Sequence, residues 1–199
     1  MKSFPRFSFL VLAFVLIIGA STAHAAAGPE PLGKFGFWEA SRLTEGGQSV
    51  CYMSITAHPP QAKKQKAKRG EVVLMITHRP GDSSTDVVSY TAGLKFKPAS
   101  EVNISIGAKK FSLFTQGDTA WSRDAVTDHA LAIAIRNASS MTITGTSAHD
   151  TPLADTLNLK GAFAAYVAIG KACGMPVPEE PKVKTAPKAS SKTTKKKTP

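Results

Sequence analysis

Cysteine is scarce in this chain, with Cys51 and Cys173 its two thiols, and acid is scarce too, with 14 Asp and Glu against 25 Lys and Arg. Two cysteines leave room for one intramolecular bridge at most. After residue 20 there is no second long apolar run. A spanning helix needs roughly 20 apolar residues, so nothing beyond the N-terminus reads as a membrane segment. Internal repeats are missing. So are G-x-S-x-G, G-x-G-x-x-G, the P-loop and H-E-x-x-H, which leaves nucleotide chemistry and zinc hydrolysis without a foothold.

The near misses are informative. GTSAHD (145–150) lacks the second glycine of a nucleophile elbow. Ser147, His149 and Asp150 are triad residue types, but they crowd one turn, where side chains diverge, whereas a triad needs a bonded line. His58, His78, His129 and His149 are scattered, with no metal-ligand spacing, and read as surface residues. Trp38 and Trp121 read as core or edge anchors. No catalytic, metal or cofactor site is expected, and the chain reads as non-enzymatic.

What is present begins at residue 1. Lys2 and Arg6 precede the apolar stretch Phe7 to Ala20, and Ala23-His24-Ala25 follows in a small-x-small pattern. That layout predicts a secretory signal over 1–25, cut before Ala26. The formal charge of +11 is unevenly placed. The tail from Gly174 onward has seven lysines against Glu179 and Glu180, while Ala26 to Cys173 carries a surplus of +4. Part of that surplus lies in KKQKAKR (63–69).

In an exported protein, an even cysteine count points to a Cys51–Cys173 disulfide; in a reducing cytosol the default is two separate thiols. The bridge would tie an early strand to the last helix. Closing so long a loop is worth about 4–5 kcal/mol in the chain-entropy picture.

Along the chain, 26–34 reads as an irregular lead. FGFWEASR (35–42) and QSVCYMSITA (48–57) read as strands joined by TEGG. PPQAKKQKAKRG (59–70) reads as an exposed loop, with Lys63, Lys64, Lys66, Lys68 and Arg69 as candidate anion contacts. EVVLMITHR (71–79), DVVSYTAGLKFK (86–97), EVNISIG (101–107), KKFSLFTQGDTAW (109–121), MTITGTS (141–147) and LADTLNL (153–159) continue the strand pattern, with a turn at Gly117-Asp118. TDHALAIAIRNASS (127–140) predicts a helix starting at Thr127 or Asp128 and stopping near Asn137, although ALAIAIR also alternates like a strand. GAFAAYVAIGKAC (161–173) predicts a second helix. The expectation is a mainly β, β-sandwich-like single domain over 35–175 with one or two short helices. The Lys/Pro-rich tail, 176–199, is expected to be disordered, with Lys192, Lys195, Lys196 and Lys197 as further anion contacts.

The ordered set FGFWEA, SVCYMS, RGEVVLMITHRP, EVNISIGAKKFSLFTQGDTAW, MTITGTSAHDTPLADTLNLKGAFAAY and KAC resembles the invasion-associated locus B (IalB) family of exported bacterial proteins. The resemblance runs from about Phe35 to Cys173. It implies a periplasmic or surface-associated protein with a β-sandwich-like domain and a cysteine near each end of it. His149-Asp150 departs from the family pattern, where an Arg-Gly-like pair is expected. No catalytic residue is carried over.

Three functions follow from these features. The first is an exported, non-enzymatic envelope or host-interaction module. Its partner would be an unknown protein or an anionic envelope component, the basic tail contacting anionic polymers rather than nucleic acid. The second is a periplasmic hydrolase with a site assembled from distant strands, for which Asp118, Arg123, His149 and Asp150 are the residues to inspect. The third is a basic nucleic-acid binder, which requires an uncut signal.

Overall fold

The structure is a computed structural model that describes residues 28–57 and 69–179. The predicted signal, His58, Lys63, Lys64, Lys66, Lys68, the tail beyond Glu179 and its four lysines lie outside the described residues.

The strands are β1 (Glu30–Phe35), β2 (Trp38–Glu45), β3 (Gln48–Ala57), β4 (Val72–Arg79), β5 (Ser84–Thr91), β6 (Glu101–Ile106), β7 (Lys109–Gln116), β8 (Thr119–Trp121), β9 (Ser140–Thr146) and β10 (Pro152–Asn158). The helices are α1 (Ala125–Arg136) and α2 (Ala162–Ala172). All ten strands form one antiparallel sheet in the order β1-β2-β3-β4-β5-β8-β7-β6-β9-β10.

Alternation sets which side of each strand is inside. In β4, Val72, Leu74, Ile76 and His78 are buried while their neighbours are half-exposed. β5 does the same with Asp86, Val88 and Tyr90. The sheet curls, so that inward residues of its first half meet Val102, Ile104, Leu113, Ile143, Leu153 and Leu157 of its second half in one core. The sandwich-like character comes from this curl of a single sheet.

A close backbone approach secures the curl. Phe37 N–H donates to the Lys160 carbonyl at 3.1 Å. Gly36 and Gly161 sit on either side, both at positive φ. A Cβ on Gly36 would lie 2.3 Å from the Lys160 oxygen, and one on Gly161 would lie 1.9 Å from the Phe35 oxygen. Only glycine fits at either place. Trp38, fully buried, adds a bond from its indole N–H to the Leu159 carbonyl at 3.3 Å. Trp38 is thus the expected core anchor.

Some expectations change. The lead is not irregular, because 30–35 forms the edge strand β1, where Pro31 breaks no ladder beyond its bulge. FGFWEASR is two strands, divided by the Gly36-Phe37 turn. Helix α1 starts before Thr127: the Asp124 carboxylate caps it, accepting from Thr127 N–H at 2.8 Å. Its end at Asn137 is as expected. No helix among the described residues is long and apolar enough to cross a membrane.

Candidate functional site

Cys51 on β3 and Cys173, just past α2, are bonded, with their Cα atoms 6.0 Å apart across 122 residues of sequence. Directly across the ladder from Cys51 stands His78. Its ring is buried, and Nδ1 accepts from the Asp86 N–H at 3.1 Å. The proton of the neutral ring is therefore on Nε2, which has no partner among the described residues. An edge-on contact with Tyr166, 5.3 Å between centroids, holds the other side of the ring.

Asp86 is the hub of this cluster. It is a non-glycine residue at φ +61°, and it is buried. One carboxylate oxygen accepts from Tyr166 O–H at 2.6 Å, and the other lies 2.6 Å from His129 Nδ1. The carboxylate so placed makes His129 Nδ1 the donor and leaves Nε2 as the basic nitrogen. The His129 side chain is 61% exposed, so the cluster opens to solvent there. Neighbouring Asp128 accepts from Val88 N–H at 2.9 Å. The Arg136 guanidinium lies 4.7 Å over the Tyr166 ring.

Burial shapes the acidities. It pushes His78 below the usual histidine value, with the Asp86 charge opposing. It pushes the Tyr166 hydroxyl up, and the Asp86 carboxylate adds to that. Asp128 also moves up, chiefly from burial, against the pull of the Val88 amide.

Arg69 corrects the sequence reading most sharply. It was expected in an exposed anion-binding loop, yet it is buried. Its guanidinium donates to Asp155 at 2.8 and 2.5 Å, to Tyr90 Oη at 3.1 Å and, through Nε, to the Ala92 carbonyl at 2.7 Å. Tyr90 O–H also donates to Asp155. Burial works against the charged guanidinium, but Asp155 outweighs it, and the Arg69 pKa is raised. Arg69 is an interior clamp, with the largely buried Asp155 carboxylate set against its charge.

The other inspected residues are placed apart. Arg123 pairs with Glu101 at 2.8 Å, and Asp150 pairs with Lys97 at 2.6 Å. Asp118 accepts from Thr119, and the His149 N–H donates to Ser147 Oγ. No hydrogen bond or ion pair joins any two of Asp118, Arg123, His149 and Asp150. Ser147 Oγ accepts from the amides of His149 and Thr151, so it organises a turn. Among the described residues no group of three potential ligands converges as a metal site.

The 92–100 crossing and the loops at 117 and 148 frame a cleft of about 380 Å³. Phe96 forms its buried floor, with Pro98 and Ala148 as walls and Lys95 and Lys97 at the rim.

The sequence model of the family described as "Invasion associated locus B (IalB) protein" matches residues 38–170. The chain belongs to the IalB family. Among solved structures, this IalB-family chain is similar to the crystal structure of invasion associated protein B from Bartonella henselae. The identity is 18% over 67% of this chain and 90% of that one, at a TM-score of 0.44. No curated protein matches the chain. The matched stretch contains β2 to β10, α1, the His78–Asp86 cluster, the Arg69 clamp and the cleft.

Sequence reasoning missed the meeting of His78 and His129 at Asp86. His78 was read as a surface residue. A signal was present, since His78 and Asp86 both fall on the inward register of their strands.

Proposed function

We propose that this IalB-family protein is an exported envelope module that binds an anionic partner without catalysing a reaction. The observation that carries the reading is the bond between the chain's two cysteines, which joins an early strand to the end of the fold. Such bonds persist in oxidising compartments, and the N-terminal pattern supports export to one. In the periplasm or at the surface, the accessible anions are lipid head groups, phosphorylated polysaccharides and peptidoglycan carboxylates. Lys63, Lys64, Lys66 and Lys68, with Lys192, Lys195, Lys196 and Lys197, supply the attraction; Arg69 does not take part, being paired inside.

The test is a salt titration of binding to an envelope fraction, with and without residues 176–199. Binding that weakens as salt rises and falls on truncation supports this reading. Salt-independent binding that ignores the truncation contradicts it.

A further inference from the structure

We propose that the cleft between the 92–100 crossing and the loops at 117 and 148 binds a small amphiphilic anion, a single acyl chain with a carboxylate or phosphate head. The inference rests on the anionic-partner reading and names a site and a ligand class for it.

The floor offers an anion no backbone donor from Phe96, Lys97 or Ala148, because those N–H groups are already used. Phe96 N–H donates to the Gly117 carbonyl at 2.8 Å, Lys97 N–H to Thr146 at 3.0 Å, and Ala148 N–H to Lys95 at 2.9 Å. The Thr115 hydroxyl is spent on the Ser100 carbonyl at 2.8 Å. What remains is the Phe96 ring and the apolar surfaces of Pro98, Ala99 and Ala148. A volume near 380 Å³ falls within the range of roughly 300–1,000 Å³ usual for small-ligand clefts.

The rim is where charge enters. The Lys95 carbonyl is used by Ala148, but the residue is exposed and its ammonium makes no hydrogen bond or ion pair with the described residues, so the charge is available. Lys97 is held by Asp150 at 2.6 Å, with both side chains more than half exposed. Asp150 is therefore a resident competitor, whose carboxylate occupies the place an anionic head would take. Among the described residues four non-glycine positions have positive φ, and two of them are Ala99, which lines the cleft, and Asp150, which pairs with Lys97 at its rim. Backbone held in that region is costly, and such residues gather at ligand clamps. An apolar slot with one available and one competed ammonium selects a molecule with an apolar body and an anionic head. A hydrated polyanion would leave the floor unused.

The test is calorimetric titration of the full mature chain with decanoate, decyl phosphate, decanol and inorganic phosphate, each below its aggregation threshold. Saturable binding of decanoate or decyl phosphate at one per chain is expected, and the tighter of the two identifies the head group. Lys95→Gln should weaken it about tenfold, as loss of a charge-assisted contact does. Asp150→Asn should tighten it about two- to fivefold, the worth of an exposed pair. Ala148→Glu, at an exposed position, should abolish it without unfolding the chain. Decanol binding as tightly as decanoate overturns the proposal, as does inorganic phosphate binding as tightly as decyl phosphate. So does affinity indifferent to Lys95→Gln and Asp150→Asn. Envelope binding that stays salt-sensitive and tail-dependent while neither decyl probe binds removes the cleft inference alone.

Discussion

Arg69 and Asp155, 86 residues apart in the chain, face each other through two hydrogen bonds inside the curled sheet. One residue enters β4 and the other lies on the edge strand β10, so their pairing fixes how far the sheet closes on itself. Tyr90 on β5 completes the contact from the middle of the sheet.

Breaking this pair from one side leaves a buried charge unmatched. Asp155→Asn should therefore destabilise the fold by roughly 3–5 kcal/mol. Replacing both partners, as in Arg69→Met with Asp155→Leu, should recover much of that loss. Urea unfolding of the two single variants and the double variant measures the coupling.

The disulfide predicts a second loss. Cys51→Ala with Cys173→Ala should cost about 2–5 kcal/mol, since 122 residues of chain lose their closure. Reduction of the intact protein should lower its denaturation midpoint in the same direction. Identical midpoints with and without reductant would mean that the bridge adds nothing to stability.

His78 gives a pH dependence with a definite sign. Burial lowers its folded pKa below the unfolded value near 6.5, so the unfolded chain takes up the proton first. The histidine's contribution is whole above about pH 6.5 and is lost as pH falls from there through the depressed folded pKa. His78→Phe should remove that part of the acid sensitivity. Asp128, raised by burial, pushes the other way at lower pH, so the quantity to measure is the wild-type curve minus the variant curve.

Tyr90 and Tyr166 govern the alkaline side. Both are raised above 10 by burial, with Asp155 and Asp86 adding to it, so stability is kept below about pH 10 and lost above. Phenolate absorbance should therefore appear for these two only as the fold opens. Phenylalanine at both positions should flatten the alkaline limb.

Gly161 tests the closure of the sheet. Its φ of +96° and the 1.9 Å approach to the Phe35 oxygen leave no room for a methyl group. Gly161→Ala should cost more than the roughly 1 kcal/mol expected of glycine replacement at positive φ alone, because the Phe37–Lys160 bond must also give way. A thermal melt reads this directly.

Much of the fold was legible because burial here follows period two. EVNISI alternates in its residues, while VVLMITHR is a β-branched and apolar run whose burial alternates, and β4 and β6 lie where those patterns place strands. Helix α1 was harder, since ALAIAIR alternates like a strand; the cap at Asp124 and the inward set Leu131, Ala132 and Ile135 decide for helix. Both cysteines were placed correctly on an early strand and at the end of the last helix. The misses share one cause. Arg69 looked like the end of a lysine run, and nothing local tells that Asp155 waits for it across the fold. The His78–Asp86–His129 cluster likewise depends on contacts between β4, β5 and α1, although the inward register of His78 and Asp86 was readable.

Compartment is the claim on which the anionic-partner reading turns. The direct measurement is the intact mass of the protein recovered from its host's periplasm, before and after thiol reduction. A chain beginning at Ala26 that gains about two mass units on reduction is the predicted result. An uncut chain in the cytosol, with both thiols already reduced, would contradict the account and return the basic tail to the reading of a nucleic-acid arm.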